Sequence, residues 1–371
     1  MNILFFDMGS YTYNDIHSEL IRKGHSVKTL YYHFKDRFED EFFSYRLAKE
    51  LNDNNYDLVF SVNFFPLIAT ECNRKNLPYV SWSYDSPLAE RLTEYFEYST
   101  NYIFLFDRNE VINYNTAGYD RIFHMPLAAN TQRVSDALNQ IPVNTYKSDI
   151  SFVGTLYESD LDTLMLPVSD YVKGYVEALF QAQLPLYGCN ILETAITPEI
   201  IEQINSSYRA IGQTSITLNS RGLAYAISKH ITHTERSFLL NELSEYYNVN
   251  FYTTDNCKMA NSLHIHGPVK YNTEMNAVFR DSTLNLCPTL RSIVSGIPLR
   301  SLDILAAGGT LFSNFQPELA EYFTDGESVI MYESIEDAFA KADYYIAHPD
   351  ECKQIAINGA QIVKEAFNYS D

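Results

Sequence analysis

The chain has 371 residues, 46% of them hydrophobic, with 27 Lys+Arg against 47 Asp+Glu and a formal charge of -20. That length and apolar content suit two domains, each with a sizeable core. The acidic balance argues against a nucleic-acid binder and against docking on anionic lipid by a basic surface; a small anionic substrate stays compatible with it, because a local site can oppose the global sign.

The chain begins MNILFFDMGS, without a basic leading region or a long apolar stretch, so Asn2–Phe6 is expected to be a first strand rather than part of a signal peptide. A helix is predicted over Asn14–Lys23, a strand at Val27–Tyr31, a helix over Glu39–Asn52, and strands at Leu58–Asn63, Tyr79–Ser83, Tyr102–Phe106 and Arg121–Met125. Strand, helix, strand at this spacing means βαβ units and a mostly parallel sheet. Runs that are apolar throughout suit strands with helices on both faces. The polar stretch Asn139–Ser148 (NQIPVNTYKS) suits a linker. The pattern restarts with a strand at Asp149–Val153 and the loop GTLYESD, followed by a largely helical stretch from about Leu161 to Leu243. Further strands are predicted at Asn250–Thr253, Leu263–His266, Leu284–Cys287, Thr310–Ser313 and Ser328–Met331, and a last helix over about Glu351–Phe367. The expected organisation is α/β, with two Rossmann-like doubly wound domains at 1–145 and 146–350. The second carries the helical insertion at about 161–243, and the segment 351–371 is placed to pack back on the first domain. No segment is long and apolar enough to span a bilayer. Cys72, Cys189, Cys257, Cys287 and Cys352 are scattered without a CxxC, so neither a disulfide framework nor a zinc site is indicated. A cytoplasmic protein is expected.

Ligands of doubly wound sheets sit outside the carboxyl ends of the strands. Three loops fall there: Asp7-Met8-Gly9-Ser10, Gly154-Thr155, and the stretch around Ser295 and Gly296. A glycine between strand and helix lets backbone N–H groups approach a phosphate; an ordinary tight turn is the other reading. GxGxxG and the P-loop pattern are absent, so a dinucleotide dehydrogenase gains no support. In SGIPLRSLDILAAGG, residues 295–309, Arg300 and Asp303 are i, i+3 neighbours on a helix. They can form a local ion pair. They can also divide the work, Arg300 facing phosphate and Asp303 accepting from sugar hydroxyls. Gly308-Gly309 closes that helix. Asp85, in Tyr84-Asp85-Ser86-Pro87 after the strand YVSWS, can be a general base for a hydroxyl or cap the turn at Pro87. Asp7 is a second base candidate, and Asp107-Arg108 reads as a structural pair or turn. His230, His233, His264 and His266 show no convergent third ligand and read as ordinary surface or strand histidines.

Residues 266–314, HGPVKYNTEMNAVFRDSTLNLCPTLRSIVSGIPLRSLDILAAGGTLFSN, resemble the donor-binding half of GT-B glycosyltransferases, and among them most the CgeB-like (spore-maturation) glycosyltransferases. The resemblance continues through ELAEYFTDGESVIMYESIEDAFAKADYYIAHPDE and IAINGAQIV. In the first half it includes SVNFFPLIATEC, YVSWSYDSP, IFLFDRNEV and MPLAAN. It implies two Rossmann-like domains facing each other across a cleft, with a nucleotide-sugar donor, UDP-linked by preference, in the C-terminal one. The acceptor, an unknown hydroxyl on a protein, glycan or small molecule, would lie on the N-terminal side. Of the Glu, seven residues, Glu pattern of retaining members, Asp303 stands at the second position, so the ribose role passes to it. Ser295 stands at the first and supplies no carboxylate. The resemblance further implies that His266 and Gly267 meet the base, that Gly154 and Thr155 face the pyrophosphate, and that Arg291 and the Ser295–Gly296 loop reach phosphate. Arg300 would stabilise the leaving diphosphate, and Asp85 is the base if the reaction inverts. No metal or further cofactor is expected: Asp160-Leu161-Asp162 matches the DxD of metal-dependent GT-A transferases only as a bare pattern, at a helix start where acidic residues are favoured. A non-catalytic nucleotide-sugar or partner-binding protein on this scaffold, or a nucleotide-sugar epimerase, are the alternatives.

Overall fold

The computed structural model describes residues 1–370. They form two compact units. The first comprises Met1–Asn130, Gly296–Leu299 and the residues from Ala366 on; the second comprises Thr131–Ser295 and Arg300–Glu365.

The first unit holds six parallel strands: β1 (Asn2–Asp7), β2 (Ser26–Tyr31), β3 (Leu58–Val62), β4 (Tyr79–Ser83), β5 (Asn101–Leu105) and β6 (Ile122–His124). Their order is β2-β1-β3-β4-β5-β6. Ile3 of β1 therefore lies between Val27 of β2 and Leu58 of β3. The helices close the sheet's faces by periodicity. In Glu41–Asp53, Phe43, Leu47 and Leu51 recur every fourth residue and are buried in one core with Leu4 and Phe6 of β1. Asp40 starts that helix by accepting from Phe43 N at 2.9 Å. Helix Pro66–Lys75 begins on a proline, which suits a first-turn position, and adds Ile68, Ala69 and Cys72 to the same core. The next helix, Arg108–Thr116, is capped by Asp107, whose Oδ1 accepts from Asn109 N at 3.0 Å. That is a turn role, as one of the two readings of Asp107 has it. The chain lays β2 on one side of β1 and β3 on the other, so the sheet reverses direction between β1 and β3.

The second unit repeats the plan with β7 (Ser148–Val153), β8 (Val249–Tyr252), β9 (His264–His266), β10 (Ser282–Leu286), β11 (Leu311–Asn314) and β12 (Ile330–Tyr332). They run parallel in the order β12-β11-β10-β7-β8-β9, with the reversal between β7 and β10. Between β7 and β8 lies a run of helices. Its helices Asp170–Gln183 and Pro198–Ala210 pack Val172, Val176, Ile200 and Ile204 against Leu223, Ile227 and Ile231 of the long helix Ser220–Ser244. The same long helix turns Leu239, Leu240 and Leu243 into the sheet's core, so one element serves two cores in succession. Helix Leu299–Ala306 ends on Gly308, whose φ of 71° suits glycine. A side chain on Gly309 would meet Phe279 O at 2.7 Å.

The boundary expected at 145/146 falls inside the second unit. Arg280 explains this: its guanidinium donates to the carbonyls of Leu138, Ile141 and Pro142 at 3.2, 3.1 and 2.9 Å, fastening the polar linker to that unit. The C-terminal helix runs Pro349–Ala366 and lies in the second unit up to Glu365. Beyond it the chain joins the first unit, where Phe367 O accepts from Ala129 N at 2.8 Å. No helix of the described residues is long and apolar enough to cross a membrane.

Candidate functional site

The reversal in the first sheet opens a cavity of about 440 Å³, lined among others by Asp7, Ser10, Arg37, Asn63, Tyr84 and Asp85. This is where a parallel sheet of this kind takes its ligand. Asp7 ends β1 and accepts on Oδ1 from Gly9 N at 3.0 Å and Ser10 N at 2.9 Å, so it clamps its own turn, and Gly9 has a φ of 93°. Asp7 is therefore a turn residue first. Asn63, just after β3, has a φ of 65°, a conformation Asn tolerates better than most. Its Oδ1 accepts from Tyr84 N at 2.8 Å and Asp85 N at 3.3 Å, while its Nδ2 donates to Asp85 Oδ2 at 2.7 Å. From the other side Glu110 accepts from Ser86 Oγ at 2.8 Å and Leu88 N at 2.7 Å, so the loop bearing Asp85 is held at both ends. Asp85 reaches solvent, yet the protein packed around its carboxylate raises its pKa above the ordinary value, against the opposing pull of Arg37 and the Asn63 amide. A carboxylate held by a fixed amide, at the lip of a cavity and with a raised pKa, has the attributes of a general base.

In the second unit the corresponding loop follows β7. Gly154 N donates to Tyr252 O at 3.1 Å, and Leu156 N to Asp255 Oδ2 at 2.6 Å. A side chain at Gly154 would make only ordinary contact, 3.5 Å from the Phe152 ring, so no steric demand fixes glycine there. Between these two bonds the carbonyl of Thr155 accepts from Arg236 Nη1 at 2.5 Å. His266, at the end of β9, stacks on Tyr252 with ring centres 4.8 Å apart and pairs through Nε2 with Asn250 Oδ1 at 3.0 Å. Partial burial, with His264 adding to it, lowers its pKa. Gly267 beside it is exposed, with nothing near its Cα to crowd a side chain.

Arg291 and Gly296 need correction. Arg291 is buried; its Nε donates to Glu235 Oε2 at 2.8 Å, and its Nη1 and Nη2 to the carbonyls of Leu186 and Leu184 at 2.8 and 3.3 Å. Its charge is already matched by the buried Glu235 carboxylate, which assigns it to the core rather than to a phosphate. Gly296 belongs to the first unit, where a side chain would lie 2.8 Å from Phe106 O and Asp107 Cα; its smallness serves backbone packing rather than approach to a phosphate. Ser295 donates through Oγ to Glu318 Oε1 at 2.8 Å, and its carbonyl accepts from Glu318 N at 3.1 Å. A buried carboxylate thus meets the serine that stands where the glutamate pattern has its first member. Asp303 is 2% exposed and accepts on Oδ1 from the Tyr271 hydroxyl at 3.0 Å. Arg300 Nη1 is 3.7 Å from its Oδ2, and the same guanidinium contacts Met275 Sδ and lies 5.8 Å from the Phe279 ring centre. The local pair exists, but it is long, and the Arg300 side chain is 32% exposed. The long separation and the exposed cation keep the pair weak, about 1 kcal/mol at most on the scale of screened pairs, even though Asp303 is buried and also bound by Tyr271. Arg300→Ala is therefore expected to change stability by less than about 1 kcal/mol; a larger fall in a denaturant titration would make Arg300 an architectural residue.

Sequence reasoning missed Asn63, Arg236, Tyr271 and Glu318. Arg236 alone left a local signal: Leu239 and Leu240 stand three and four residues on, so an arginine shares an apolar helix face. Of the metal candidates, His230 Nδ1 lies 3.0 Å from Ser159 Oγ, His264 Nδ1 3.1 Å from Asn248 Oδ1, and Asp160 Oδ2 3.8 Å from Lys229 Nζ. Among the described residues no group of three or more His, Cys, Asp or Glu could hold a metal ion.

Residues 236–371 match the family model described as Glycosyl transferase-like. No curated protein matches the chain. Similar solved structures include the α,α-trehalose 6-phosphate synthase of Burkholderia multivorans, with a TM-score of 0.53 and 12% identity over 100% of this chain and 95% of that one. Anabaena HepE, in complex with UDP-glucose, gives 0.52 and 10% over 100% and 96%. The sucrose-phosphate synthase of Thermosynechococcus elongatus gives 0.51 and 12% over 100% and 95%. The fold is that of the GT-B glycosyltransferases, two parallel-sheet α/β Rossmann-like domains.

Proposed function

We propose that the chain is a glycosyltransferase that moves a sugar from a nucleotide-sugar donor, UDP-linked by preference, to a hydroxyl of an acceptor. The observation that carries this reading is the match of residues 236–371 to a glycosyl transferase-like family, on the part of the chain that holds His266, Arg300 and Asp303. The UDP-glucose bound to HepE supports the choice of donor. Within that class the quoted motifs favour the CgeB-like glycosyltransferases.

In this reading the donor occupies the second unit, with His266 and Gly267 toward the base and Gly154 and Thr155 toward the diphosphate. The acceptor enters the cavity of the first unit. Asp85 takes the proton of the acceptor hydroxyl, the oxygen attacks the anomeric carbon, and the bond from that carbon to the diphosphate breaks. The diphosphate leaves with the electron pair, and a single displacement of this kind inverts the anomeric centre. Asp303 is buried against Tyr271, so its ribose role requires a hydroxyl to compete with that phenol. Five free cysteines suit a reducing compartment, which supports a cytoplasmic setting.

A panel of sugar nucleotides, each assayed for nucleotide release with and without candidate acceptors, tests the proposal. Acceptor-stimulated release is the expected result. An isomeric sugar nucleotide as product would point instead to an epimerase, and binding without turnover to a non-catalytic protein. The transfer is further expected to proceed unchanged in EDTA, because protein cations and N–H groups can stabilise the leaving diphosphate. Loss of turnover in EDTA with recovery on adding Mn²⁺ would return Asp160 and Asp162 to the site.

A further inference from the structure

One side chain spans the two loops at the sheet reversal of the second unit, between β7 and β10. Arg236, on helix Ser220–Ser244, is 8% exposed. Its Nε and Nη2 donate to Pro288 O, the former at 3.0 Å, and its Nη1 donates to Thr155 O at 2.5 Å. It thus ties the loop after β7 to the loop after β10. Two rings flank it, with its guanidinium 5.1 Å from the centre of Phe152 and 4.7 Å from that of Tyr157, and Cys287 and Glu235 lie near enough to act on its charge. Among the described residues no carboxylate lies within ion-pair distance of it, and Glu235, next in sequence, is bound to Arg291. A guanidinium has five N–H donors, and the three bonds made here leave two of them. Burying a cation without an anion is costly. Burial also lowers its pKa, although an arginine stays charged throughout the physiological range.

A second group borders the same dipeptide. Gln316, just after β11, is 1% exposed. Its Oε1 accepts from Thr289 Oγ1 at 3.2 Å, while its Nε2 is buried without a partner. A buried amide donor left without an acceptor is costly. Pro288 and Thr289 are consecutive, so an unneutralised cation and an unsatisfied donor flank one short segment at the carboxyl end of the sheet.

We infer that Arg236 and Gln316 form a cradle for the phosphoryl oxygens of a nucleoside diphosphate. The inference rests on the donor reading above and deepens it. It moves the principal cation of the donor site from Arg300 to a residue fixed between two loops, where it loses little freedom on binding. An anion there would neutralise the buried charge and could take the spare donors.

Calorimetry on the full chain with uridine, UDP and inorganic pyrophosphate tests this. The wild-type chain should bind UDP more tightly than uridine, and pyrophosphate should compete with UDP. Arg236→Gln should lose roughly tenfold or more in UDP affinity, the scale of a bond to a charged group, with uridine affinity kept. Gln316→Met should narrow the UDP-to-uridine preference in the same direction. An unchanged preference in Gln316→Met and in folded Arg236→Gln, or equal losses for both ligands, would overturn the cradle. If Arg236→Gln does not fold, Gln316→Met and pyrophosphate competition decide: no competition and no narrowing would overturn it. A wild-type chain that binds neither UDP nor uridine would remove the donor reading itself.

Discussion

Asp85→Asn is expected to lower kcat by about 10²–10⁴-fold, the contribution of a positioned general base, while donor affinity stays near that of the wild-type chain. The substitution keeps the shape that Asn63 holds and removes only the ability to take a proton. Direction of pH dependence follows from the same site. Burial raises the Asp85 pKa, and Arg37 and Asn63 work against it. The base functions as carboxylate, so activity rises with pH as Asp85 loses its proton. The acid limb of kcat/KM should therefore lie above about 3.9, the ordinary value for aspartate. Asn63→Leu removes a hydrogen bond that favours the carboxylate, and Arg37→Ala removes a favourable charge, so either should move the limb further up. A structural role for Asp85 predicts otherwise: a lower denaturant midpoint in Asp85→Asn, with turnover and the acid limb unmoved.

Asn63 and Asp85 also mark where the sequence stops being informative. The strand ends that carry them could be placed, because apolar runs alternating with helical periods have few architectures open to them. Their meeting could not, since 22 positions separate them and only the pairing of β3 with β4 brings them together. The same holds for Arg236, which is 81 residues from Thr155 and 52 from Pro288, and for Ser295 and Glu318, 23 apart. Arg300 and Asp303 were legible as a pair because a helix repeats every 3.6 residues, and they do approach to 3.7 Å. Their surroundings were not legible: Tyr271 on Asp303, and Met275 and Phe279 against Arg300, come from another stretch of chain. Local period thus revealed elements and the contacts within them, and long-range pairing decided which polar groups were already spent.

Arg291 is the sharpest case, and its loss should be felt in stability rather than in donor binding. Its side chain is 5% exposed and that of Glu235 1%. Glu235 accepts on Oε2 from Arg291, and on Oε1 from the Tyr187 hydroxyl at 3.0 Å and the Tyr332 hydroxyl at 3.1 Å. The guanidinium lies 3.7 Å from the centre of the Tyr187 ring. Burial alone would lower the arginine's pKa, but Glu235 and Tyr187 outweigh it and the value is raised. Burial pushes both tyrosines above their ordinary range. Arg291→Met leaves Glu235 buried without its cation and frees the carbonyls of Leu184 and Leu186. Breaking a buried pair from one side costs about 3–5 kcal/mol, so a denaturant titration should show a loss of that size. Glu235→Gln should also destabilise the chain. The double substitution should cost clearly less than the sum of the two, because it removes both stranded charges. If Arg291 reached phosphate instead, Arg291→Met would weaken UDP binding with the unfolding midpoint unchanged. Additive stability losses in the cycle would likewise dissolve the pair as a unit, and would reopen Arg291 as a ligand-facing cation.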